Sequence, residues 1–420
     1  MRQTQGPGAQ TPGKELRRGY TTGTCAAAAA KAAAAMLFSG KDVKEVQLTV
    51  PAGETLLLEI TEISRGPDYV SCAVVKDAGD DPDVTNGMKV FARVSRLCEG
   101  GDEGAGTAGG GSVGAAGDEG ILIDGGEGVG RVTKPGLDQP PGSAAINSVP
   151  RQMIRQAVWE EMQRYGASCQ VRVLISILGG EKTAARTLNP ALGIEGGLSV
   201  LGTSGIVEPM SEKALIDTIR VSVRQRIALG DRILVMAPGN YGLAFLRENY
   251  GISEEEVVKI SNYIGDSLDI AVQETASGWR ASENSSEKIQ QVPVILLAGH
   301  IGKLVKVAGG IMNTHSAVAD CRMEILTMHA LRCGAKAETL RKIAECVTTE
   351  AALDVLEAAD LLTPVMESVL QSIQKHIDKR TGGRIRTEVI LFSTARGKLA
   401  QTEGEGIWSI LSERGREPRI

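Results

Sequence analysis

The residues that could do chemistry crowd into a few polar stretches. The densest is GHIGKLVKVAGGIMNTHSAVAD, residues 299–320, which follows the apolar run VPVILLA. It offers His300, Lys303, Lys306, Asn313 and His315. Two histidines with two lysines near a strand end suit an anionic ligand and proton movement. The plainer alternative is that each histidine is a hydrogen-bonded structural residue. No H-x-x-x-H or H-E-x-x-H pair occurs, so no zinc site is expected. A second stretch, DAGDDPDVTNG at 77–87, gathers carboxylates beginning with Asp77. It fails as a calcium loop, because an alignment on Asp81 and Asp83 puts the required glycine one place late and Ala92 at the last ligand position. A turn, or a polar wall of a binding site, remains.

A third stretch, ILIDGGEGVGR at 121–131, spells D-x-G-x-G-x-G from Asp124 to Gly130. Such glycines let a backbone approach a nucleotide closely, provided a strand precedes and a helix follows. Here Pro135, Pro140 and Pro141 follow, and no long helix can start among them. The segment reads better as an extended loop carrying Arg131 and Lys134 toward carboxylates. Four further turns are dense in Gly, Ser, Thr and Asn: GTSG at 202–205, PGNYG at 238–242, SNYIG at 261–265 and GHIGK at 299–303. In an open parallel sheet ligands bind outside the carboxyl ends of the strands, so turns at corresponding ends could line one pocket. Glycine-rich βα turns are also common without any ligand. Glu208 and Asp266, just past strand ends, suit ribose hydroxyls.

The elements that must position these residues fall into two styles. After a polar leader at 1–15, read as disordered, GYTTGTCAAAAAKAAAA is turn chemistry running into a helix capped by Thr22 or Thr24. EVQLTVPAG, LLLEITEISR, YVSCAVVKDAG, FARVSRLC and GILIDGG read as strands. The glycine-rich stretch 100–120 between the last two reads as a flexible insertion. From about residue 150, helices alternate with short Val/Ile/Leu strands, the sign of a largely parallel sheet. A helix-rich part from Thr314 to His376 and a strand, TEVILFST, follow. The reading is therefore a β-rich α+β domain over 16–150 and a Rossmann-like α/β domain over 151–420, with a helix-rich C-terminal part.

Composition narrows the classes. The 420 residues are 42% hydrophobic and 23% charged, as in soluble globular proteins. Aromatic residues are only 3% and the net charge is −5, without a long basic run, so nucleic acid is not an expected partner. No stretch has the purity of a membrane span. Seven scattered cysteines without a C-x-x-C pair point to free thiols in a reducing cytoplasm. A homo-oligomer is left open.

These blocks together resemble one family, the CbiD-type cobalt-precorrin-5B C1-methyltransferases of anaerobic cobalamin biosynthesis. The resemblance rests on GYTTGTCAAAAAKAA at 19–33, KDAGDDPDVTNG at 76–87, GGEGVGRVTKPGL at 125–137, GTSGIVEPMSEKA at 202–214, PGNYG at 238–242 and the 299–320 block. It implies transfer of a methyl group from S-adenosylmethionine to C1 of a cobalt-bearing tetrapyrrole. The macrocycle is fringed with carboxylates, so basic residues should cluster, drawn from Arg17, Arg18, Arg131, Lys134, Arg151, Lys303 and Lys306. The expected substrate contacts are Thr21, Thr22, Thr24, Arg131, Lys134, Lys303, Lys306 and Asn313. The cofactor is placed on Gly202, Thr203, Ser204, Gly205, Glu208, Gly239, Asn240, Asn262 and Asp266, with the 124–130 loop as competitor. His315 and His300 are candidate bases and Asp77 a reserve; no metal is assigned. The alternatives are a noncatalytic corrinoid-handling protein and, disfavoured by the lack of a strand–G-x-G-x-x-G–helix unit, an NAD(P)-dependent oxidoreductase.

Overall fold

The computed structural model describes residues 16–97, 120–209, 211–282, 294–404 and 407, with backbone alone over 277–282. The leader at 1–15 and residues 100–119 of the glycine-rich stretch lie outside the described residues. The chain is a mixed α and β protein that folds as two compact units. One comprises Asp138–Ser211 and the described residues up to Lys134; the other comprises Pro135–Leu137 and the described residues from Glu212 onward.

The first unit runs β1 (Gly19–Tyr20), α1 (Thr22–Ser39), β2 (Glu45–Thr49), β3 (Thr55–Glu59), β4 (Thr61–Arg65), β5 (Tyr69–Val75), β6 (Lys89–Arg96), β7 (Ile121–Gly125) and β8 (Arg131–Val132). It continues with α2 (Ser148–Arg164), β9 (Val171–Ile177), α3 (Gly180–Ala184), β10 (Ile194–Glu195) and β11 (Ile206–Val207). Its main sheet has the order β4-β5-β6-β9-β7, antiparallel except for the parallel pair β7–β9. In β9, Val171, Val173, Ile175 and Ile177 are fully buried while the residues between them are not. That alternation marks a sheet covered on one face. The cover is α1 on β5 and β6, with α2 against α1 and β7. Cys25 to Met36 of α1 are buried except for Lys31, so the helix has no polar face. A helix enclosed all round needs small side chains to let its neighbours approach, and alanine supplies them at no loss of helix propensity.

The start of α1 is clasped to the 201–207 segment. β1 pairs antiparallel with β11. Thr21 caps the helix by accepting from the Thr24 amide, and its own amide donates to the Gly205 carbonyl at 3.1 Å. Thr24 Oγ1 donates to that same carbonyl at 2.7 Å. Thr22 Oγ1 exchanges hydrogen bonds with the Leu201 backbone. All three threonines are at most 6% exposed. They are spent on the fold, and the sequence expectation that they touch substrate gives way to that.

The second unit runs α4 (Glu212–Ala228), β12 (Ile233–Ala237), α5 (Asn240–Tyr250), β13 (Val257–Lys259), α6 (Ile264–Ser282), β14 (Val294–His300) and α7 (Ile301–Ala308). Then come α8 (Arg322–Arg332), α9 (Ala337–Ala344), α10 (Thr349–Ala358), α11 (Leu362–Thr381), β15 (Thr387–Ser393) and β16 (Gly397–Gln401). The sheet order is β13-β12-β14-β15-β16, parallel through its first four strands, with β16 antiparallel. β12 and β15 are buried at every position, the mark of strands covered on both faces. Ile233, Val235 and Ala237 meet α5 residues on one side, while Leu234 and Met236 join residues of α4, α6, α7 and α11 on the other.

The boundary therefore lies at Ser211 and not at residue 150. β9 sits inside the first sheet, paired on both edges, and α2 lies against α1. A strand paired on both edges belongs to the sheet that satisfies its backbone.

Replacing Thr24 with valine keeps the side-chain shape but leaves the buried Gly205 carbonyl with the Thr21 amide alone as donor among the described residues. Denaturant unfolding should register a loss of about 0.5–1.5 kcal/mol. A loss under a few tenths would mean that the clasp contributes nothing.

Candidate active site

The carboxyl ends of β12, β13 and β14 bring three of the four polar turns together. β12 and β14 are neighbours, yet α5 leaves β12 toward one face and α7 leaves β14 toward the other. The crevice between two such connections is where open parallel sheets take ligands. PGNYG fills the first connection. Gly239 caps α5 with φ 102°, a conformation that favours glycine, and among the described residues beyond its chain neighbours a Cβ there would meet only Lys303 Nζ, at 3.4 Å. Gly242 instead presses α5 onto the sheet, since a Cβ would lie 2.7 Å from Ala237. The Asn240, Tyr241 and Gly242 amides come too early in α5 to find helical acceptors and have none among the described residues.

Around this opening, Lys259 Nζ donates to Asn240 Oδ1 at 2.6 Å and Lys303 Nζ to the Ser261 carbonyl at 3.2 Å. Asn262 is tied to the 313–320 loop: its carbonyl accepts from the Thr314 amide at 2.9 Å, and Thr314 Oγ1 donates to its Oδ1 at 3.3 Å. Asp266 stands in the first turn of α6. Lys306 is not a rim residue. It is 3% exposed, and its ammonium donates to the Thr314 and Ala319 carbonyls at 3.1 and 2.7 Å, where it organises the loop from within.

The two histidines share one local geometry. His300 Nδ1 accepts from the Gly302 amide and His315 Nδ1 from the Ala317 amide, each at 3.1 Å. An Nδ1 that accepts carries no proton, so the neutral ring holds its hydrogen on Nε2. His300 Nε2 faces Glu350 Oε1 at 3.4 Å, and its ring lies between Tyr241 and Phe392. Burial pushes the His300 imidazole below its ordinary range, against the pull of Glu350. This ring is a fixed cap for α7. His315 is exposed, and with Nδ1 taken by the Ala317 amide its neutral ring offers Nε2–H, which makes it a hydrogen-bond donor first and a base only after losing that contact.

Asn313, also in the second unit, accepts from the His315 amide through Oδ1 at 3.1 Å, and the other nominated residues belong to the first unit. Asp77 accepts two hydrogen bonds from Arg17 and one from the Gly79 amide, and Arg17 chiefly holds its carboxyl below the usual range. Arg18 pairs with Glu54, Arg131 with Asp124, and Arg151 donates to the carbonyls of Ile123, Ala144 and Ile146. Lys134 Nζ lies 3.5 Å from the Ala191 carbonyl. Most of the cations nominated for a basic cleft thus already have partners. The glycines of 124–130 serve packing: a Cβ on Gly128 would lie 2.0 Å from the Ile177 carbonyl, and one on Gly130 would lie 2.4 Å from Ile194. GTSG stands at no strand end of the parallel sheet, because β11 pairs with β1. A Cβ on Gly202 would strike Thr21, and one on Gly205 would strike Val50. Thr203 and Glu208 are exposed and Ser204 half-buried, in the first unit.

The family description CbiD matches residues 9–209, and CbiD, C-terminal domain, matches residues 313–403. A cobalt-precorrin-5B C(1)-methyltransferase of Ruminiclostridium cellulolyticum is 43% identical over 387 residues, 92% of this chain and 91% of that protein. One of Alkaliphilus metalliredigens is 41% identical over 96% of this chain and 97% of its own length. The chain belongs to the CbiD family. The first CbiD match stops just short of the unit boundary at Ser211. A crystal structure of a cobalamin biosynthesis protein (cbiD) from Archaeoglobus fulgidus corresponds to 76% of this chain and 85% of its own at 24% identity. The TM-score is 0.35.

Sequence reasoning missed Lys259, Tyr241 and the Glu350–Arg396 pair in this CbiD chain. Lys259 is the last residue of β13, and only the strand order brings it to Asn240. Tyr241 could have been noticed as a tyrosine inside PGNYG; it is 68% exposed. Arg396 joins Glu350, Asp354 and Glu357, a contact that no local pattern announces.

Two outcomes follow from the histidines. If His315 acts as a donor, His315→Gln, which keeps an N–H near Nε2, should hold turnover within about threefold, while His315→Ala should lose tenfold or more. Equal loss in both, with an imidazole limb vanishing from the pH–rate profile, would restore the base. His300 and His329 are both held neutral mainly by burial, below an ordinary value of 6.5. Unfolded chain binds their protons first. Stability should be complete above about pH 6.5 and fall below it, by up to about 1.4 kcal/mol per pH unit per histidine. Denaturant melts of His329→Gln should show a shallower slope in that window.

Proposed function

We propose that this chain is a C-methyltransferase that methylates C1 of cobalt-precorrin-5B, giving cobalt-precorrin-6A in anaerobic cobalamin biosynthesis. The observation that carries the reading is the identity of 41–43% over more than nine-tenths of both chains to relatives of that name. The methyl donor in this reading is S-adenosylmethionine, which supplies an electrophilic sulfonium methyl. The residues that would hold it are those of the second unit's crevice: Gly239, Asn240, Asn262 and Asp266. Their fit rests on the open face of Gly239 and the free amides that begin α5. The 124–130 loop fits poorly, because the chain itself fills the space beside its glycines. The second unit's sheet is Rossmann-like in this reading.

The macrocycle's ring carbon is the nucleophile, so no protein nucleophile is required. The chain's part is to align two reactants and exclude water, and alignment alone supplies roughly 7–11 kcal/mol of barrier reduction. His315 would donate a hydrogen bond toward the macrocycle, and His300 would hold the start of α7, from which Lys303 projects.

The test is anaerobic incubation of the purified protein with S-adenosylmethionine and cobalt-precorrin-5B, followed by mass spectrometry of the corrinoid. A gain of one methyl group that needs both components is expected. Tight macrocycle binding without methyl transfer or cofactor binding would replace the enzyme by a corrinoid-handling protein. Gly239→Val should weaken S-adenosylmethionine binding tenfold or more if the crevice holds it; unchanged affinity in the folded variant would move the cofactor elsewhere.

A further inference from the structure

We propose that Lys259, Lys303 and the free amides at the start of α5 form a carboxylate-binding subsite at the carboxyl edge of the parallel sheet. Three observations carry it. Two ammonium groups reach this edge from different elements, and among the described residues each donates only to a neutral oxygen, Asn240 Oδ1 for Lys259 and the Ser261 carbonyl for Lys303. Neither forms a salt bridge among the described residues, although acids outnumber bases 51 to 46 in the chain and Arg17, Arg18, Arg131, Arg380 and Arg396 all find one. The second observation is burial. Lys303 is half-buried, and both desolvation and the neighbouring charges of Lys259 and Lys306 press its ammonium below the ordinary lysine range. A partly buried cation without a counter-charge is costly, and a bound anion removes that cost. The third is the space beside the lysine. Chain neighbours aside, Lys303 Nζ is the one atom among the described residues within 4 Å of where a Gly239 Cβ would stand, so the ammonium lies beside the start of α5, whose Asn240–Gly242 amides find no acceptor among the described residues. Backbone amides and an ammonium together suit a carboxylate.

The subsite rests on the methyltransferase reading for its ligand, because both reactants carry carboxylates: the methionine end of S-adenosylmethionine and the acid side chains of the macrocycle. The lysines' shared chemistry is the carboxylate, and the two sources are separable. KM for each reactant would be measured in the wild-type protein and in Lys259→Gln, Lys303→Gln and Lys303→Arg. Direct binding would be measured for S-adenosylmethionine against its decarboxylated form, and for a corrin polyacid against its full methyl ester.

If the methionine carboxylate sits here, the Gln variants raise KM for S-adenosylmethionine roughly tenfold, and the wild-type preference over the decarboxylated form collapses. If a macrocycle carboxylate sits here, the Gln variants raise the tetrapyrrole KM and weaken polyacid binding while ester binding stays put. Lys303→Arg should stay within about threefold in either case. Folded Gln variants that change neither ligand by more than twofold overturn the subsite. Should they not fold, a salt titration of the wild type decides: affinity for both carboxylate-bearing ligands that is insensitive to salt overturns it equally. A wild-type protein that transfers no methyl group, yet loses polyacid binding on Lys303→Gln, removes the enzyme reading and keeps the subsite.

Discussion

Buried backbone carbonyls must find donors, and that constraint shapes both units. The chain's polar loops are rich in glycine, threonine and alanine, which bring few side-chain partners of their own. Long cations and hydroxyls from neighbouring elements supply the donors instead. Arg151 closes over three carbonyls, Lys306 over two, and Thr24 reaches one on the far side of the clasp. A donor that serves several carbonyls fixes loops that could not otherwise stay put, because an unpaired buried carbonyl costs about as much as a lost hydrogen bond. The clasp at Gly205 and the ammonium inside the 313–320 loop hold these turns from within.

The same constraint separates residues by what they have left to offer. Thr21, Thr22, Thr24, Arg131, Arg151 and Lys306 look alike on paper to Lys303 and Lys259, as polar groups in glycine-rich surroundings. In the fold the first group is fully engaged, whereas Lys303 and Lys259 each hold one neutral oxygen and no acid among the described residues. Asp77 and His300 are consumed as well, one by Arg17 and one by a backbone amide and Glu350. Among the described residues near that sheet edge, the first α5 amides lack acceptors, Lys259 and Lys303 lack acids, and Tyr241 and His315 are exposed. An alignment-driven methyl transfer needs no more than oriented donors and a shaped, dry opening.

Glycine makes the same point in a different way. Gly128 and Gly239 both stand in polar motifs, and both have positive φ. Gly128 is glycine because a carbonyl lies where its Cβ would be, and Gly239 faces space. A ligand can exploit only the second kind.

The sequence by itself determined the elements and much of their style. The alanine helix, the strands of the first sheet, the parallel strands of the second and the lack of a helix after the D-x-G-x-G-x-G motif were all legible, because propensity, proline and hydrophobic period act within a dozen residues. The sequence reading put β9 in the second domain, although its own pattern pointed to the first sheet. VRVLISI alternates, as a strand of a one-sided sheet does, whereas ILVMA and VILLA are continuously apolar, as strands covered on both faces are. Only the tertiary structure decided the rest. Whether GTSG belonged with PGNYG depended on β11 pairing with β1, nearly two hundred residues away in sequence. Whether a lysine was a tool or a strut depended on which carbonyls came within reach of its ammonium. Pairing partners and counter-charges are set by long-range contacts, and no local pattern of residue types encodes them.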